Sequence, residues 1–160
     1  MFQRRKILRP IIDFLKTCPL LTEADEISPM AFDPNSVYAG NALAYTGKSK
    51  PQRSRDVNNN IVYNKTASLV MYIRRYVNSP ELREEIGDFL FEFENWIEYE
   101  SEMRGTDEEN EKLPKFSDTD VERIWGDNGR WLQVTSDPDI NDFLLVIHIE
   151  YQTLFEKEGW

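Results

Sequence analysis

The feature that most constrains the fold is a period-2 alternation running from Ile61 to Val77. Odd positions read Ile61, Tyr63, Lys65, Ala67, Leu69, Met71, Ile73, Arg75 and Val77, while the even ones include Asn64, Thr66, Ser68 and Arg74. Successive side chains of an extended chain point to opposite faces, so one face here is apolar and the other mixed. This predicts a long strand covered on one side. Asn58-Asn59-Asn60 opens it, and Asn78-Ser79-Pro80-Glu81 follows as a helix start. Ser79 supplies the cap, Pro80 takes the first helical position, and acidic residues in the first turn complement the helix dipole.

The predicted helix runs to about Met103. Leu82, Ile86, Phe89, Leu90, Phe93, Trp96 and Ile97 form its apolar stripe, and Glu84, Glu85, Asp88, Glu92, Glu98 and Glu102 its acidic outer face. Upstream, Ile7, Leu8, Ile11, Ile12, Phe14 and Leu15 predict a shorter amphipathic helix over Arg4 to Lys16. It should stop near Thr17-Cys18-Pro19, and Pro10 either kinks it or marks its true first turn.

Short strands are expected around Ala31 and around Ala42 to Thr46, followed by a flexible basic loop over about 47–58. A charged loop follows the long helix over about 105–118. Val121 to Trp125 and Arg130 to Thr135 read as two strand pieces around the turn signal Gly126-Asp127-Asn128-Gly129, and Ser136-Asp137-Pro138-Asp139 as another turn. The last element, Phe143 to Phe155, has Phe143, Leu145, Ile147, Ile149 and Tyr151 on one side and Leu144, Val146, His148 and Glu150 on the other. It reads as a central strand that becomes more exposed towards its end. The element order implies one α+β domain over 1–160, a mostly antiparallel sheet of about four strands with two main helices packed on one face.

A chain of 160 residues, 40% hydrophobic and 30% charged, suits a single globular core. No apolar run approaches the roughly 18 residues a membrane span needs, and neither a span nor a signal peptide is expected. A single cysteine, Cys18, rules out an internal disulfide, and a single histidine, His148, rules out a two-histidine metal site. The net charge of -10 argues against the whole molecule being a nucleic-acid binder. That average hides a split. Residues 1–80 carry 12 Lys or Arg against 6 Asp or Glu, and residues 81–160 carry 7 against 23. Such a dipolar surface steers copies together basic face to acidic face; the simpler reading is two solvated faces of different sign.

Little here supports catalysis. His148 reads as a partly buried strand histidine with a hydrogen bond, and Cys18 as a small buried hydrophobe with no nearby His or Asn to complete a dyad. The carboxylates from Glu92 to Glu102 lie on the polar side of an amphipathic helix. Asp137, Asp139, Asn141 and Asp142 lack the glycine and closing glutamate of a calcium loop, and no phosphate-cradling glycine loop is present. Two features suit binding instead. Lys48, Lys50, Arg53 and Arg55 lie near Tyr45, a mix of charge and aromatic that suits a phosphate backbone or an acidic protein surface. Trp125 and Trp131 flank the predicted turn and suit contacts between subunits.

Four stretches taken in order resemble a known family. They are Phe14-Leu15-Lys16-Thr17-Cys18-Pro19-Leu20-Leu21, Ala67-Ser68-Leu69-Val70-Met71-Tyr72-Ile73-Arg74-Arg75-Tyr76, Phe91-Glu92-Phe93-Glu94-Asn95-Trp96-Ile97-Glu98, and the strand ending Ile149-Glu150-Tyr151-Gln152. Their order and local character resemble minor capsid or tail-completion proteins of tailed phages and prophages of Gram-positive bacteria. Leu113-Pro114 followed by Val121 to Trp125 matches the loop and strand that follow the family's tryptophan helix. The acidic loop Gly105 to Lys112 is longer than the family pattern, and the stretch before Asn58 more basic.

The resemblance implies a virion structural protein at the head-to-tail junction or tail end, of the tail-terminator type, assembled in the host bacterial cytoplasm. Such proteins are small α+β domains, often hexameric in the assembly, that work by docking rather than chemistry, without a cofactor. The implied partners are copies of itself in a ring and other phage neck or tail proteins. Lys48, Lys50, Arg53 and Arg55 would then face either the DNA channel or the next ring. The alternative is a small acidic cytosolic adaptor or inhibitor whose face from Glu84 to Glu102 docks a basic or DNA-binding partner.

Overall fold

The computed structural model describes residues 7–21, 27–29, 40–106, 115–116, 119–132 and 137–154. Helix α1 (Leu8–Leu15) is followed by β1 (Ile27–Ser28), β2 (Gly40–Lys48), β3 (Gln52–Arg55) and the long β4 (Ile61–Tyr76). Helix α2 (Pro80–Thr106) then leads to β5 (Lys115–Phe116), β6 (Thr119–Leu132) and β7 (Ile140–Leu154). The sheet runs β1-β2-β4-β7-β6-β5, and β3 continues the β2 edge along the first residues of β4. Every pairing except β1 with β2 is antiparallel. The four long strands β2, β4, β7 and β6 form the body of the sheet, so the chain is an α+β domain of the predicted kind.

The alternation in β4 does what its pattern demands. Ala67, Leu69, Met71 and Ile73 stand opposite Ile149, Ile147, Leu145 and Phe143 of β7, and all eight side chains are buried on one face. Both helices cover that face. From α1 come Ile11, Ile12, Phe14 and Leu15, and from α2 come Leu90, Phe93 and Ile97. The helices touch each other through Phe14 and Trp96, with ring centroids 5.4 Å apart. Each fully buried large apolar side chain contributes about 1.5–3 kcal/mol relative to an exposed one, so this layer dominates stability.

The helix boundaries follow from their ends. Ser79 Oγ accepts the Leu82 N–H at 3.2 Å, the capping bond its position predicts, and Pro80 is the first helical residue. Glu84, Glu85, Asp88, Glu92, Glu98 and Glu102 are all exposed. In α1, Pro10 sits in the first turn, where its missing N–H removes no helical bond, and the helix ends before Pro19.

Three expectations need correction. The stretch over 47–58 is not loop throughout, because Gln52–Arg55 pairs with Ile61–Asn64. Asn59, at φ 65, supplies the left-handed residue that reverses the chain between the two strands. The segment Gly126 to Gly129 does not separate two strand pieces either. It lies within the single strand β6, where Asp127 pairs with Val146 and Arg130 with Leu144, leaving Asn128 and Gly129 opposite Leu145 alone. This is a β-bulge, and Asn128 at φ 56 absorbs the extra residue. For the charged loop over 105–118, α2 reaches Thr106 and Lys115–Phe116 pairs with β6. The strand expected around Ala31, the remainder of that loop and residues 133–136 lie outside the described residues.

The sheet face away from the helices carries one deeply buried ion pair. Arg74 and Asp142 are direct cross-strand partners, 0% and 1% exposed. Arg74 Nε donates to Asp142 Oδ1 at 2.7 Å and Nη2 to Oδ2 at 2.9 Å, a bidentate bridge tying β4 to β7.

Candidate functional site

The predicted basic residues gather along one edge of the sheet. Lys48 ends β2, Lys50 lies in the connection, and Arg53 and Arg55 sit two apart on β3, hence on one face, opposite Tyr63 and Ile61. All four cations are exposed, as is half of Tyr45. A bulge at Thr46 and the Gly47 backbone at φ 142 redirect the chain, and the Ser49 N–H bonds to the Thr66 carbonyl at 2.9 Å. The edge therefore stays attached to β4 after β2 ends.

The turn between β3 and β4 is built around Asp56. Its Oδ1 accepts the Asn58 and Asn60 N–H groups at 2.9 and 2.8 Å, and its Oδ2 accepts from Asn60 Nδ2 at 3.2 Å. These bonds, the Asn60 backbone N–H first, hold the Asp56 carboxyl below the usual carboxylate range. Arg55 Nη1 reaches the Asn59 carbonyl at 3.1 Å, and Val57 stands fully exposed at the tip. Among the described residues Lys48, Lys50 and Arg53 have no carboxylate partner.

The acidic face of α2 lies over a different part of the sheet. Helix α2 packs on β6, whereas β3 sits beyond β4. From β3 across β4 and β7 to β6 is three strand spacings, about 14 Å. The cationic strand β3 and the strand beneath α2 are thus held apart by the paired sheet.

The two tryptophans do not act together. Trp125 pairs with His148 and Trp131 with Phe143, so they point to opposite faces. Six residues apart on a regular strand they would share a face, and the one-residue bulge between them turns the second around. Trp131 is 46% exposed beside α2, with Arg83 above its ring at 4.9 Å and its Nε1 donating to Asn141 Oδ1 at 2.9 Å. Trp125 stacks on His148 with centroids 5.2 Å apart and carries Arg123 on its ring at 4.9 Å.

His148 joins a trio that its sequence neighbourhood does not reveal. Its Nε2 lies 3.0 Å from Asp127 Oδ1 and its Nδ1 lies 2.9 Å from Ser68 Oγ. A carboxylate only accepts, so in the neutral ring Nε2 carries the proton and Ser68 donates to Nδ1. Ser68 and His148 are 80 residues apart, and only the strand register, Ser68 opposite His148, brings them together. Acyl transfer by such a trio would also need free N–H donors beside the Ser68 hydroxyl. Strand β4 is paired on both sides at Ser68, so its backbone donors serve the ladders. The trio acts as a polar tie across β4, β7 and β6.

The remaining candidates are dispersed. Cys18 is buried, and that burial pushes its thiol up, away from the reactive thiolate. Asp137 Oδ1 caps the Asp139 N–H at 2.9 Å in a turn, while Asp142 faces Arg74. Among the described residues no three His, Cys, Asp or Glu side chains converge as metal ligands, and no helix is long and apolar enough to cross a membrane. Neither models of known protein families nor curated proteins, when compared with this chain, give a match.

Proposed function

We propose that this chain is a phage or prophage virion structural protein of the head-to-tail junction or tail end, acting by ring assembly and docking rather than by catalysis. The observation that carries this reading is the spatial separation of charge. A cationic edge at Lys48, Lys50, Arg53 and Arg55, on the strands beyond β4 and their connection, and an acidic helix face from Glu84 to Glu102, on the helix that packs on β6, lie over different parts of one sheet. Opposite patches on one body fit a heterologous, head-to-tail contact, which closes into a ring when the rotation between copies allows. The resemblance in motif order to tail-completion proteins supports the same reading.

The test is charge reversal. Lys50→Glu, Arg53→Glu and Arg55→Glu together alter only exposed side chains, so the domain should keep its circular dichroism spectrum and Tm within a few degrees. Ring particles in electron micrographs, and tail joining in a phage assembly reaction, should be lost. Normal rings from the triple variant would refute the reading.

The exposed acidic face of α2 also favours a second reading, an adaptor that docks a basic partner. Salt-sensitive 1:1 binding to a DNA-binding protein, without ring formation, would select it over ring assembly.

A further inference from the structure

A groove of about 330 Å³ runs between the first half of α2 and the bulged part of β6. Its floor is Leu90 and Phe143, and its walls include Phe91 and Trp131, which are 63% and 46% exposed. Trp131 is fixed from two sides, by Arg83 over its ring and by the Asn141 oxygen on its indole N–H. The wall is therefore set before anything binds, which lowers the entropy cost of binding.

Gly87 opens a notch in the groove. It lies inside α2, where glycine weakens a helix relative to alanine, yet a Cβ built on it meets no atom within 4 Å. Nothing in the domain's own packing requires the missing side chain. Gly87 lines the groove one turn after Arg83 and one turn before Phe91, so the vacant volume lies between a cation and an exposed aromatic ring.

The charges say what kind of occupant fits. Arg83 and Arg130 both line the groove, and among the described residues neither has a carboxylate partner, although the chain carries ten more acidic than basic residues. The one carboxylate in the lining, Glu94, is occupied by the Gly129 N–H at 3.1 Å, and burial pushes it up towards the neutral form. The groove thus offers two guanidinium groups without a carboxylate partner among the described residues, that of Arg83 seated on the Trp131 ring, above an apolar notch. The acidic surface of α2 around it disfavours a polyanion.

We infer that this groove docks a segment of a partner protein that places one aliphatic or aromatic side chain over Gly87 and one or two carboxylates against Arg83 and Arg130. The inference does not depend on the ring reading, since none of the contacts it proposes involves the basic edge or the carboxylates of the outer α2 face.

The test uses the full chain labelled with 15N and a blocked peptide, Gly-Asp-Leu-Phe-Asp-Gly, titrated to about 5 mM. Saturable shifts are expected at the Trp131 indole N–H and the Gly87 and Gly129 amides, with a Kd below about 1 mM. The Asn-for-Asp peptide should bind at least about tenfold more weakly, and so should the Arg130→Ala variant, which alters only an exposed side chain and leaves Arg83 on the Trp131 ring. Gly87→Leu fills the notch and should abolish binding; Gly87→Ala, with a smaller side chain, serves if the leucine variant fails to fold. No saturable shift, or unchanged affinity in the Gly87 and arginine variants, overturns the inference. So does concentration-dependent broadening of the same signals without peptide, because the occupant is then a second copy of this chain.

Discussion

Replacing Asp142 by alanine isolates the energetics of the one fully buried ion pair described. Arg74 is 0% exposed and donates two charge-assisted bonds of 2.7 and 2.9 Å to Asp142. Removing the carboxylate deletes both of these bonds and takes the Asp142 charge away from a fully buried guanidinium, and breaking a buried pair in this way typically costs about 3–5 kcal/mol. In a domain of this size 1 kcal/mol moves Tm by about 2–4 °C, so a drop of about 6–20 °C is expected in a thermal melt followed by circular dichroism. The double variant Arg74→Met with Asp142→Leu removes both charges and keeps similar volume, and should recover most of that loss, because apolar pairs at such sites are often neutral or stabilising. A drop of under about 2 °C for Asp142→Ala, or no recovery in the double variant, would refute the reasoning.

Further outcomes follow from single contacts. Ser79→Ala removes the capping bond to the Leu82 N–H and should lower stability by about 1 kcal/mol, read from urea midpoints. Gly87→Ala adds a Cβ into open space and should raise stability by about 0.5–1 kcal/mol in the same assay. Asp56 is held below its ordinary value of 3.8, so the ionised carboxyl contributes stability above that value, and the contribution fades as pH falls through the lowered one. Asp56→Asn should therefore be less stable than the parent at pH near 7, with the difference closing in strong acid, as urea unfolding at the two pH values would show.

Elements with a clean periodic signal were readable from sequence. The β4 alternation, the Ser79-Pro80 cap and the α2 stripe depend on residues near one another in the chain, and the structure places them as their patterns require. Features set by register between distant strands were not. Gly126-Asp127-Asn128-Gly129 has turn composition, but β7 offers a continuous partner on both sides of it, so the chain bulges instead of reversing. Gln52–Arg55 is wholly polar and exposed, and it becomes a strand only because β4 extends past the end of β2 and presents a free edge. The Ser68, His148 and Asp127 trio, and the Arg74 and Asp142 bridge, are likewise products of cross-strand register. The candidate basic residues were legible as a cluster, and the structure adds their alignment along one edge.

Ring assembly through opposite charges is tested most directly by light scattering on the purified full chain across a wide concentration range, at low salt and again near 1 M. At 1 M the screening length falls to about 3 Å, which removes attraction between exposed patches. Ring assembly predicts a mass that climbs with concentration to a closed oligomer at low salt and returns to the monomer at high salt. A strict monomer at every concentration, or an oligomer indifferent to salt, would contradict it.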